Sequence, residues 1–401
     1  MICLPFFLFP RRLASTSILV IASLLAPIAG RAEEAEKATA VHQANVGPWG
    51  VIEYTYIYIE ATEELIAHVP QPTSTPTWTF QESTEESLRA LFAKAALPPA
   101  IIERLFDKKR MVTQPDSLTV FPALDDLEAI TPAMREVIYE QLALSPENEF
   151  HLAPVYFVGG MESWLRDARI RPELKDKIRK MAYWRGKIQA FSDLQALLAH
   201  AQNDVEARRI LKLATRVRTL LTRVKVTPQT DFNQLYEYWS DQRRSRDIRP
   251  FLESIAERPA EASLDLIHLL PRSARRYLYS YPTLDLASRG RLPDCHWSSL
   301  NFFNLVPRAY YLDTRLAAAH VLANYTPVPP PHAFGDVIFF MNAAGEAAHS
   351  CVHLADDIVY TKNGENILSP WILMRMGDLE NLYANQPGWR MQGYRRKPVS
   401  N

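Results

Sequence analysis

The sequence predicts an α+β chain: a mainly helical N-terminal region with a short β segment, then an α+β domain at the C-terminus. Three observations carry this. Helix caps and apolar residues at three- and four-residue spacing recur between residues 83 and 280. One earlier run, Val51–Ile59, is β-branched and aromatic almost throughout. After Phe334, three apolar runs are punctuated by Gly335-Asp336, Asp356-Asp357 and Gly364, as strands joined by tight turns are.

Composition narrows the function classes. At roughly 100–200 residues per domain, 401 residues suggest two or three domains. Lys+Arg and Asp+Glu balance at 45 each, which argues against a dedicated nucleic-acid binder and leaves no nucleic-acid partner expected. Three cysteines exclude a disulfide scaffold and a Cys-rich zinc module, and neither a cofactor nor a metal is expected. Glycine is scarce (13) and proline plentiful (29), which suits helices separated by stiff connections. The overall balance hides a segregation. Residues 33–160 carry 8 Lys/Arg against 20 Asp/Glu, and residues 161–250 carry 20 against 11. Two helical surfaces of opposite sign that attract each other explain this more simply than a basic face for an anionic polymer.

Residues 1–32 read as a secretion signal. Arg11 and Arg12 precede an apolar run from Ile18 to Ala29, and Gly30-Arg31-Ala32 supplies small residues for cleavage after Ala32. The run is shorter than the roughly 20 residues of a comfortable membrane span. An uncleaved anchor is the alternative. Cys3 lies too far upstream for lipidation at the cleavage point. The expected mature chain begins at Glu33, is exported to the periplasm or medium, and contains no membrane span.

Residues 33–285 read as a mainly helical accessory region with a β segment near 48–82. Residues 75–80 are expected to pair with Val51–Ile59. Ser83 and Glu86 form a capping box ahead of Leu88, Leu91 and Phe92. Thr131-Pro132 is an N-cap followed by proline at the first helical position. Further helices are expected at 172–186, 192–201, 203–224, 231–240, 250–257 and 263–280, with a basic face on 203–224. Proline and glycine between 281 and 293 mark an expected junction, and 286–401 is the C-terminal domain.

That domain carries the chemistry. Cys295 immediately precedes an apolar helical pattern of Leu300, Phe303 and Leu305, so it stands at a helix start, where unpaired N–H groups and the dipole favour a thiolate and can hold an oxyanion. Downstream, Gly335-Asp-Val-Ile-Phe-Phe340 reads as one strand. Ala348-His-Ser-Cys-Val-His-Leu354 reads as a second, turned at Asp356-Asp357 into a third at 358–363. Alternate residues share a strand face, which puts His349, Cys351 and His353 together, with Thr361 and Asn363 across the hairpin.

These residues resemble the NlpC-like, papain-fold cysteine peptidases that cut bacterial cell-wall peptides. The resemblance covers roughly 285–385: Asp294-Cys295 opens the helix, the Gly335-Asp336 strand follows, and His349 starts the next strand. It implies a papain-like domain in which Cys295 is the nucleophile, His349 its base, and a third polar residue orients the histidine. The substrate class it implies is peptide or peptidoglycan-type. Departures mark a divergent branch. His296-Trp297 replaces Ser-Gly after the cysteine, Cys351 replaces a glycine, and Thr361 stands where a third histidine is common. Asn363 has the right face and an amide oxygen able to accept from imidazole N–H, so it is taken as the third residue. Cys351 reads as a core residue before a disulfide partner of Cys295, and His296 and His353 as structural. A zinc edge built from His349, Cys351 and His353 lacks a fourth ligand. The expected reaction is thiol hydrolysis of an amide. The alternatives are a thiol acyltransferase and a non-catalytic binding scaffold on a degenerate peptidase fold.

Overall fold

The computed structural model describes residues 40–398 apart from 70, 241–247, 259, 289, 291 and 385–387. The expected leader at 1–32, with Cys3, Ala32 and Glu33, lies outside them. The chain is α+β, and among the described residues its strands form four antiparallel sheets. No helix among these residues is long and apolar enough to cross a membrane.

Val51–Ile59 is a strand, but its partner differs from the expected one. It pairs along its whole length with Val217–Val226, from Val51 opposite Lys225 to Ile59 opposite Val217. A nine-residue strand is best satisfied by a partner of matching length. The four residues Trp78–Gln81 instead join Ser117–Val120 and Met111–Gln114 in a small sheet of their own. The helix expected over 203–224 accordingly stops at Ala214. Beyond it the burial period drops to two: Leu220, Thr222, Val224 and Val226 are buried while Arg223 faces water. Threonine and valine at these places favour a strand as well.

Two other expected helices are also cut short. The one at 172–186 ends at Met181, and Tyr183–Arg185 turns back through Gly186 (φ +67°) to pair with Ile188–Phe191. The one at 263–280 is divided by Pro271 into a strand, Ala262–Asp265, a 3₁₀ turn, Leu266–Leu269, and a short helix, Arg272–Tyr277. Three of the four sheets therefore lie wholly within 33–285, which is more β-rich than expected. Pro132–Leu142, Phe232–Trp239 and Arg249–Ala256 are helices where periodicity puts them. The capping box falls one residue later, between Thr84 and Ser87. The opposite charges of 33–160 and 161–250 meet directly: Lys177 on Glu128, Arg216 on Glu60, Lys225 on Glu53.

The C-terminal sheet has six strands in the order Tyr325–Val328, Arg390–Arg396, Val337–Met341, Ala347–Ala355, Ile358–Lys362, Trp371–Arg375. Its central strands are buried on both faces. One face (Val337, Val352, Leu354, Leu373) packs on Trp297 and Leu300. The other (Ile338, Phe340, Cys351, Val359, Met374) packs on Leu379, Tyr383, Val158 and Ile59. The first cluster continues without a break through Ile52, Leu220, Val224, Trp239 and Leu252. Thr219 Oγ1 stitches the two regions together, donating to Leu373 O and accepting from Leu373 N–H, both at 3.0 Å. Tyr238 OH adds a bond to Leu354 O at 2.7 Å. The expected division near residue 285 thus falls inside a shared hydrophobic core.

Candidate active site

Asp294 starts the helix Cys295–Leu300. Its carboxylate accepts Trp297 N–H at 2.7 Å, and its carbonyl accepts Ser298 N–H and Ser298 Oγ. Cys295 is therefore the first helical residue. The N–H groups of Cys295 and His296 precede these bonds and have no acceptor among the described residues. The helix is anchored to the sheet by Trp371 Nε1–H on Ser298 Oγ (2.7 Å) and Ser350 Oγ–H on Ser299 Oγ (3.1 Å). The strand opposite depends on Gly335, whose φ is +87° and where an added Cβ would lie 2.4 Å from the Phe303 ring. Asp336 beside it is buried and gripped by Arg395 through two bonds of 2.8 and 2.7 Å.

His349 lies on the second strand, 1% exposed, with its ring stacked on Tyr383 at 4.0 Å and 8°. Its Nε2 is 2.9 Å from Thr361 Oγ1. Thr361 in turn donates to Asn363 Oδ1 at 3.4 Å, so it accepts the proton of His349 Nε2–H. That tautomer leaves Nδ1 as the basic nitrogen. Asn363, expected to meet the imidazole itself, stands one step back, because the strand ends at Lys362 and Asn363 lies beyond the ladder. Thr361 makes the direct contact.

Burial alone would raise the Cys295 thiol. The charges of His296 and then His349 reverse this and hold it well below the ordinary thiol range. Burial pulls His296 down, yet the Cys295 charge facing it brings it up to about 9. Asp294 is pushed up to about 6, first by burial and then by the negative charge of Cys295. Cys351 is buried in the apolar cluster, which pushes its thiol up, and both it and Cys295 are free. His353 points away from the centre, its nitrogens 3.2 Å from Ala333 O and 2.9 Å from Asp356 O.

Three participants escape a reading of motifs. Lys362 is fully buried, donates to Gly364 O (2.7 Å) and Asn366 O (3.1 Å), and so pins the loop that carries Asn363. Burial lowers it to about 7, while Asp294 and Cys295 pull the other way. Its only signal in the sequence is a lysine in an otherwise apolar hairpin strand. Tyr383 comes from the helix Met376–Tyr383, and nothing local ties it to His349. His296 is the third. It meets Ser350 Oγ through Nδ1 at 3.0 Å and Ala347 O through Nε2 at 3.3 Å. Set against family profiles, curated proteins and solved structures, the chain matches none of them.

Proposed function

We propose that the chain is an exported cysteine hydrolase that cleaves an amide or peptide bond through Cys295 and His349, on a divergent papain-like domain. The observation that carries this is a thiol at a helix start, facing two imidazoles, with the Nε2–H of one held by the Thr361–Asn363 chain. Cell-envelope peptide is the substrate class suggested by the resemblance around Asp294-Cys295, Gly335-Asp336 and His349.

The proposed steps are those of an activated thiol. His349 Nδ1 takes the Cys295 proton, and Sγ attacks the amide carbonyl carbon. The carbonyl oxygen takes up the displaced electron pair and faces the N–H groups of Cys295 and His296. As the C–N bond breaks, His349 returns its proton to the leaving amine. Water then gives a proton to His349 Nδ1 and displaces the sulfur, releasing the acid and regenerating the thiolate. An amine or alcohol in place of water would make the same centre an acyltransferase.

One observation favours a scaffold instead: Cys295 is 7% exposed, His349 is 1% exposed, and Tyr383 lies over the imidazole. Treating the full-length protein with a thiol-directed peptide electrophile and mapping the adduct separates the two. Rapid labelling of Cys295 below neutral pH, with amine release from envelope peptides, supports the hydrolase. A Cys295 that labels no faster than Cys351 supports the scaffold.

A further inference from the structure

We infer that His296 is a second catalytic imidazole, the fixed positive charge that keeps Cys295 a thiolate while His349 moves the protons. This deepens the hydrolase reading and rests on it.

Both nitrogens of the His296 ring face groups that accept. Nε2 faces Ala347 O at 3.3 Å, and a carbonyl oxygen can only accept, so Nε2 carries a hydrogen. Nδ1 faces Ser350 Oγ at 3.0 Å. The single hydroxyl proton of Ser350 is committed to Ser299 Oγ at 3.1 Å, so Ser350 presents a lone pair and Nδ1 carries a hydrogen too. A ring with both nitrogens donating is an imidazolium. The ring stacks on Phe339 (5.8 Å, 22°), which fixes its plane and keeps water from one side. His349 is built the other way. Its only committed nitrogen is Nε2, and Nδ1 is left to gain and lose a proton.

The other ionisable groups around the pair do not supply the charge. Asp294 is a neighbouring carboxyl and opposes the thiolate. Lys362 donates to Gly364 O and Asn366 O, and burial depresses it to about 7, so it loses its charge on passing neutrality and is not the fixed cation. Tyr383 lies on the His349 ring, and burial keeps its phenol protonated. Cys351 is likewise a buried neutral thiol. Glu365 bears on Asp294 and carries the same sign as the thiolate. His296 makes the largest favourable contribution to the Cys295 thiolate, ahead of His349.

Division of labour follows. A thiolate neutralised by a permanent imidazolium stands ready whether or not His349 is protonated, so His349 can act as acid for the amine and as base for water without the nucleophile being lost. The test measures the alkylation rate of Cys295 by iodoacetamide against pH in the full chain, with peptide mapping, for the wild type, H296Q and H349Q. Glutamine keeps hydrogen-bonding capacity at position 296 without the charge. At about pH 6, H296Q should lose at least about tenfold in rate, since one pKa unit is tenfold in thiolate, while H349Q stays within about threefold and loses turnover. The reverse pattern, with reactivity gone in H349Q and intact in H296Q, overturns the inference and leaves the hydrolase reading standing. A wild-type Cys295 that alkylates only like a free thiol overturns both. Ring ¹⁵N spectra of the wild type and C295A decide the matter without a position-296 variant. His296 should be doubly protonated near neutrality in the wild type and turn neutral in C295A, and a neutral ring in the wild type sinks the inference.

Discussion

Two buried polar centres among the described residues, one around Arg135 and one around Cys295, are wired differently. In the N-terminal region, the fully buried Arg135 donates Nε–H to Asp193 at 2.9 Å, Nη2–H to Leu127 O at 2.6 Å and Nη1–H to Ile130 O. Tyr139 OH donates to the other Asp193 oxygen at 2.5 Å. Charge is matched by charge and the remaining donors by backbone carbonyls, which is what a buried ion pair needs to hold a fold together. His151 packs edge-on against Tyr139, and burial drives it down to about 4, so it stays neutral. The Cys295 centre is as deeply buried and as strongly perturbed. It differs in having a nucleophile at a helix start and an imidazole with one nitrogen left over. Burial and shifted titration mark both regions, and a nucleophile at a helix start beside an imidazole separates a centre that can react from one that braces the core.

Substitutions that break this contrast give the largest effects. Cys295→Ala should abolish amide turnover, and His349→Ala should lower it by about 10²- to 10⁴-fold, with thermal stability little changed, as read by steady-state assay beside calorimetry. Arg135→Met should do the opposite. Leaving Asp193 buried and unpaired should cost about 3–5 kcal/mol in urea unfolding, while Cys295 alkylation per folded molecule stays constant. Loss of Cys295 reactivity in folded Arg135→Met would erase the distinction.

Acid sharpens the comparison next. His151 moves from 6.5 to about 4 on folding, so between those pH values the unfolded chain binds the extra proton and stability falls as pH falls. Its share is up to about 3 kcal/mol. His151→Gln should flatten the pH dependence of the urea midpoint over that window, and an unchanged slope would refute the assignment. The smallest effects belong to the residues behind the base. Thr361→Val removes the acceptor for His349 Nε2–H and should lower turnover about tenfold, because the tautomer is no longer held. Asn363→Ala acts only through Thr361 and should cost less. A larger loss in Asn363→Ala would restore asparagine as the direct partner.

Much of the site was legible because its signals are local. Asp294 before Cys295 is an N-cap whose partner, Trp297 N–H, lies three residues away. The hairpin turned at Asp356-Asp357 brings His349 and Thr361 together across one pair of strands. The helix starting at Pro132 was legible for the same reason, while Val217–Val226 was not. Its arginines and spaced apolar residues satisfy a helical pattern nearly as well as a strand, and the deciding partner, Val51–Ile59, lies far back in the chain.

By itself, then, the sequence determined the α+β class, the helix start at Cys295 and the strand bearing His349, because caps, turns and alternation act over a few residues. Tertiary structure decided the rest. It merged the two expected domains into one core through Thr219 and Leu373, and it put Thr361 rather than Asn363 on the imidazole. It also set His296 between Ser350 and Ala347. The partners of that ring are brought to it by the sheet from some fifty residues away, and no local pattern around Cys295 encodes them.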